Sequence, residues 1–181
     1  RFFSFISLFV FSMLMLVLAD NFVQLYIFWE AVGLCSYLLI GFWYTTNNVN
    51  REGKQFDISP RAAGVKAFVT NRIGDFGFSL GVMMIFWNFG SVAYSTVFAN
   101  ASTVHFSIGN MTWICFLLFL AAMGQSAQFQ LHDWLPDAMQ GPTPVSALVH
   151  AAPLGATVAY PVHRSLHRSP LLPTGRDAGA Y

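Results

Sequence analysis

The chain is expected to fold as an all-α, multi-pass transmembrane bundle of about 4–5 helices, one of them broken near Gln125–Pro136. Three features carry that expectation. Of 181 residues, 55% are hydrophobic and only 9% charged, where an ordinary globular domain carries about 25% charge. The 19 Phe and 5 Trp suit a lipid-facing surface. The apolar residues also fall into separate long runs, and about 20 residues at ~1.5 Å rise cross the hydrocarbon core.

The first run, residues 2–19, follows Arg1 and is longer than the apolar region of a usual signal peptide, so it reads as a spanning helix. It begins without Met, and the true start is expected upstream. The second run, residues 21–44, is uncharged except for Glu30 in its middle. Residues 45–61 are polar, Asn-rich and closed by Pro60, as in an extramembrane loop. A third span covers about 62–89 and carries Asn71, Arg72 and Asp75 before becoming uniformly apolar. Residues 90–110 lack charge apart from His105 and read as a loop with room for a short helix.

A fourth span starts near Met111 and runs into the polar series Gln125, Ser126, Gln128 and Gln130, with Pro136 beyond. Proline removes a backbone hydrogen bond. Broken helices at membrane depth survive only where protein or a wet cavity receives the freed groups, so this stretch points to a transporter interior. A turn at Gly141–Pro144 precedes a partial fifth span from about 145 that carries His150. The chain therefore divides into transmembrane helices over 1–152 and a divergent, non-membrane tail over 153–181.

Basic residues set an orientation. Arg51, Lys54 and Arg61 lie in the first loop with Lys66 just beyond, and residues 90–110 contain no Lys or Arg. By the positive-inside rule the first loop faces the cytoplasm or matrix. The formal net charge of +1, without a basic stripe, excludes a nucleic-acid partner. Cys35 and Cys115 sit in apolar runs, where a thiol packs as a small hydrophobe rather than entering a disulfide.

A carboxylate at mid-membrane costs a few kcal/mol even on lenient insertion scales, so Glu30 must be neutral, paired or facing a wet interior. It reads as a proton or ion site; a structural acid bonded to a neighbouring helix is the plainer alternative. Arg72 and Asp75, three apart, share a helix face and form either an intrahelical pair or an interface salt bridge. His150 is either a relay group or a satisfied core histidine, and His132–Asp133 fits a solvated helix end. His132 and His150 have no metal-ligand spacing. Ionisable groups on successive helices, together with a broken helix, argue for lateral proton relay through the bundle.

Three stretches also resemble a known family: residues 28–44 (FWEAVGLCSYLLIGFWY), 66–77 (KAFVTNRIGDFG) and 131–152 (LHDWLPDAMQGPTPVSALVHAA). They are similar to the antiporter-like subunit 5 of respiratory complex I, the proton-pumping NADH:ubiquinone oxidoreductase, and more distantly to Mrp-type sodium/proton antiporters. The resemblance covers residues 1–152 and implies the fourth helix through the start of the eighth of a much longer subunit. It implies that Glu30 is the key mid-membrane carboxylate, although Ala31 replaces the usual glycine. It likewise implies that Arg72 and Asp75 tune the neighbouring pair and that His150 is the helix histidine. Gln125 stands where the family has a lysine that pairs with the glutamate, which is expected to leave Glu30 without its cationic partner. After Ala152 the family's apolar helix gives way to Pro153 and a basic tail, so the chain is expected to be a fragment, a split product or one with an altered end.

The function this implies is a proton-translocating membrane subunit of NADH:ubiquinone oxidoreductase, with a cation/proton antiporter subunit or a non-pumping structural fragment as alternatives. No cofactor is expected in this chain; NADH, FMN, iron–sulfur clusters and quinone would be held by other subunits. The expected partners are the other complex I membrane-arm subunits and the lipid bilayer. The expected location is the mitochondrial inner membrane, or a bacterial plasma membrane.

Overall fold

Each helix starts and stops where its local sequence dictates. The structure is a computed structural model and describes residues 1–44, 58–100, 108–128, 131–145 and 147–148. Helix α1 (Phe2–Val17) and α2 (Phe22–Ile40) form an antiparallel pair. Asn21 caps α2, its side-chain oxygen accepting from Gln24 N at 2.7 Å and so satisfying one of the free amides of the first turn. Helix α3 (Pro60–Phe89) has Ser59 as its cap, Pro60 in its first turn and left-handed Gly90 at its end. A short α4 (Tyr94–Asn100) and then α5 (Ile108–Gln125) complete the order, before a 3-10 turn at Asp137–Gln140.

The boundaries differ from expectation at two places. The α1–α2 link runs over residues 18–21 rather than two residues, and it is pinned from the side: Phe22 N donates to Val92 O at 3.0 Å and Tyr94 N to Asp20 O at 3.2 Å. Helix α2 stops at Ile40, not residue 44, because Gly41 and the following turn leave the helical path. The break after α5 falls inside the expected Gln125–Pro136 stretch, at Ala127. Ala127 adopts φ 50°, Gln128 N donates to Met123 O at 3.0 Å and Ala127 N to Gly124 O at 3.4 Å, the two bonds of a Schellman end. Pro136 precedes the later 3-10 turn.

Helix α2 is the one helix among the described residues that is both long and apolar enough to cross a membrane unaided; α1 and α5 are shorter apolar helices. Helix α3 is 30 residues, about 45 Å at 1.5 Å each, and carries ionic groups on its way through. Large apolar side chains such as Phe3, Phe76, Met83, Trp87 and Trp113 point outward, as lipid or further helices require. The free thiols part company: Cys35 is buried 4.0 Å from Ser12 Oγ of α1, whereas Cys115 faces outward on α5.

In lipid, helix association relies on close packing rather than hydrophobic exclusion, so small residues belong at contacts. Helix α3 meets α5 along Gly74, Gly77 and Gly81. A Cβ on Gly74 would lie 3.2 Å from Ala121 O and 3.3 Å from Gly124 Cα, and one on Gly124 would lie 3.2 Å from Gly74 Cα. Backbone thus touches backbone beside the break. The broken segment folds back onto α2: a Cβ on Gly141 would sit 3.3 Å from Leu39 O. Lys66 Nζ and Asp137 Oδ2, 2.8 Å apart, tie α3 to the 3-10 turn. The Trp134 indole donates to Gly124 O at 3.3 Å, satisfying a carbonyl freed where α5 ends.

Two substitutions test this. Gly74→Ala is expected to lower stability by about 1–3 kcal/mol through overpacking against fixed backbone. Ala127→Gly is expected to raise it by about 1 kcal/mol, since glycine accepts the left-handed conformation without a Cβ clash. Equilibrium unfolding in mixed micelles reads both, and equal shifts of one sign would contradict the two close contacts.

Candidate functional site

Glu30 lies in the middle of α2, between about two and three turns from either end, where its face meets α3. The 3.6-residue period of α3 puts Asn71, Gly74, Asp75, Phe78 and Val82 on one buried stripe, and Arg72 on its flank. Arg72 forms an ion pair with Glu30 Oε2. The guanidinium also stacks over the Phe68 ring, 4.8 Å from its centroid, which holds the long side chain toward α2. The second carboxylate oxygen, Glu30 Oε1, is buried without a hydrogen-bond partner among the described residues.

Trp29, the neighbour of Glu30, ties three helices together. Its indole nitrogen donates to Asp75 Oδ1 at 2.8 Å, both side chains being almost wholly buried. Its backbone carbonyl accepts from Gln125 Nε2 of α5 at 3.4 Å. Its ring meets Phe78 edge-on at 5.1 Å. The Gln125 amide lies 3.7 Å from where a Cβ on Gly33 would stand, an ordinary van der Waals contact one turn beyond Trp29. Asn71 Oδ1 and Ser126 Oγ are buried near this level without partners among the described residues, and the layer is therefore polar in the middle of an apolar bundle.

Four of the five expected site residues, Glu30, Arg72, Asp75 and Gln125, fall in this layer; His150 lies outside the described residues, as do Arg51, Lys54 and the tail 153–181. Of the two pairings open to the α3 charges, the structure takes the interface salt bridge: Arg72 turns to Glu30, and Asp75 accepts from Trp29. One expectation is corrected: Glu30 does not lack a cation, since Arg72 supplies it from α3 in place of any group at position 125. His132 and Asp133 stay exposed, 3.6 Å apart. Trp29, Phe68 and the Lys66–Asp137 latch were missed. An indole N–H inside an apolar run needs an acceptor, and that rule marks Trp29 as a site residue from sequence.

Comparison with known proteins places the chain among relatives of this architecture. Residues 19–169 match the family described as NADH:quinone oxidoreductase/Mrp antiporter, TM. NADH-ubiquinone oxidoreductase chain 5 of Rhizopus stolonifer is 48% identical over 178 residues, covering 98% of this chain and 25% of that protein. NADH-quinone oxidoreductase subunit L of Rickettsia typhi is 54% identical over 159 residues, covering 84% of this chain and 22% of that protein. Among solved structures, the Mrp complex from a Dietzia species superposes with a TM-score of 0.70 at 31% identity, over 85% of this chain and 16% of that one. The chain spans about a quarter of the length of the curated relatives it matches.

Replacing Arg72 by Met strands the Glu30 carboxylate and is expected to cost about 2–3 kcal/mol in a bilayer, the insertion-scale value for a charge at depth. Glu30→Gln made together with it recovers most of that loss. Unfolding in bicelles gives the coupling, and a double-mutant interaction below about 0.5 kcal/mol contradicts the pair.

Proposed function

The chain belongs to the NADH:quinone oxidoreductase/Mrp antiporter membrane family, and on that premise we propose that it is a proton-translocating segment of NADH:ubiquinone oxidoreductase. The observation that carries this proposal is the ion pair of Glu30 on α2 with Arg72 on α3, set at mid-membrane beside Asp75 and Gln125. An intramembrane carboxylate is costly and is kept where protons or ions pass. In this role Glu30 takes up and releases the proton. Its Oε1, buried and without a partner among the described residues, is the atom open to it.

The chemistry of the partners limits what moves. Arginine stays protonated at any working pH, so Arg72 stabilises the ionised form of Glu30 without passing on a proton of its own. Gln125 is neutral and donates only an amide hydrogen bond. Proton traffic in this layer therefore rests on Glu30 and Asp75, with His150 as the next group along the chain. The remaining path belongs to other parts of the assembly, and the redox centres and the quinone to other subunits. The location is the mitochondrial inner membrane, with a bacterial plasma membrane as the alternative.

The likeness to an Mrp complex favours a second reading, a cation/proton antiporter subunit. The neutral Gln125 favours a third, a structural element that does not pump.

Proteoliposomes of the complex that contains this chain separate the three. Glu30→Gln is expected to lower the number of protons translocated per electron by this chain's share, at electron flux close to wild type. Sodium-dependent proton exchange without NADH supports the antiporter instead, and an unchanged ratio of protons to electrons leaves only the structural role.

A further inference from the structure

Among the described residues, Asp75 is a buried carboxyl, only 3% exposed, that no salt bridge holds. What it meets instead is the Trp29 indole, which donates to Oδ1 at 2.8 Å from a residue itself 2% exposed. The charged or titratable groups around it are Glu30 and Tyr26 of α2 and Arg72 of its own helix. Helix α5 brings the neutral Gln125 amide, its Cys115 facing outward. Lys66 and Asp137 bond each other nine residues back along α3, about 13 Å away.

A neutral donor does something here that a cation would not. An indole N–H only donates, and it neither gains nor loses a proton at working pH. A carboxylate oxygen accepts from it, and so does the carbonyl oxygen of the protonated acid. The bond therefore persists through a cycle of protonation at Asp75. A cationic partner would favour the charged form alone, and a hydroxyl would bring an exchangeable proton of its own.

The indole is also held in place. Phe78, one turn beyond Asp75 on α3, meets the Trp29 ring edge-on at 5.1 Å, and Tyr26 meets Phe78 edge-on at 5.6 Å. The Gln125 amide bonds the Trp29 carbonyl at 3.4 Å and ties its backbone to α5. Trp29 is followed directly by Glu30, so the residue that orients one carboxyl is covalently joined to the other.

We propose that Trp29 is a positioning residue for proton exchange at Asp75: the indole holds Oδ1 in both protonation states and confines the exchange to Oδ2. This role rests on the proton-translocation reading and places within it a residue that carries no proton itself.

Nuclear magnetic resonance of the full chain in nanodiscs, with isotopic nitrogen in its five indoles, reads the bond directly. The resonance missing from Trp29→Phe is that of Trp29. In a pH titration it is expected to move as Asp75 changes charge, and in Asp75→Asn, whose carbonyl still accepts from the indole, it stays fixed. A Trp29 resonance that does not move with pH, or that moves as far in Asp75→Asn, overturns the role. In proteoliposomes of the assembled complex, Trp29→benzothienylalanine keeps the ring shape and removes the N–H. The pH profile of protons translocated per electron is then expected to lie about one unit higher, since a hydrogen bond to a carboxylate is stronger than one to an acid. A merely structural ring would leave the profile where it was, and that result equally overturns the role. The resonance titrates whether or not the complex pumps, so failure here is distinguishable from failure of the proton-translocation reading, which Glu30→Gln decides.

Discussion

The ion pair between Glu30 and Arg72 constrains everything around it. A charge at membrane depth must find its counter-charge within the protein, so α2 and α3 have one acceptable depth relative to each other. Sliding either helix by one turn, about 5.4 Å, would break the pair. With that register set, Trp29 and Asp75 come into hydrogen-bond contact one step around the same interface, and the Trp29 carbonyl is left facing α5, where Gln125 reaches it. One dipeptide of α2 thereby fixes two other helices.

Helix α3 organises the rest by dividing its surface. Its glycine stripe lets α5 approach to backbone contact, which no larger side chain would permit. Its ionic groups each go to a different element: Lys66 to the 3-10 turn, Arg72 and Asp75 to α2. The end of α5 exposes carbonyls in a region with little water, and the fold answers with a Schellman end and with the Trp134 indole on Gly124. The break is therefore a closed hydrogen-bonded structure that keeps Gln125 and Ser126 buried.

This arrangement bears on mechanism through the difference between the cations. A lysine beside a carboxylate can share its proton, whereas an arginine can only hold charge in place. Because Arg72 occupies the partner position, the layer combines a fixed positive charge with two carboxyl groups, Glu30 and Asp75, and a neutral amide from Gln125.

Composition and the lengths of the apolar runs were enough for the helices, their order and the position of the break, because a membrane forces each spanning segment to satisfy its own backbone. Motif spacing and the resemblance likewise singled out Glu30, Arg72, Asp75 and Gln125, which the structure brings into one layer. Helix ends were less legible: Gly41 ends α2 in an ordinary turn conformation, and Ala127 ends α5 in a left-handed one that alanine rarely adopts and no sequence signal announces. Pairing was only half legible. Three residues apart on α3, Arg72 and Asp75 could by sequence bond each other or reach across an interface, and only the packing of α2 against α3 sends one to Glu30 and the other to Trp29. Sequence spacing fixes which side chains share a helix face; the rotation and depth of neighbouring helices, which depend on the whole interface, fix which of them meet.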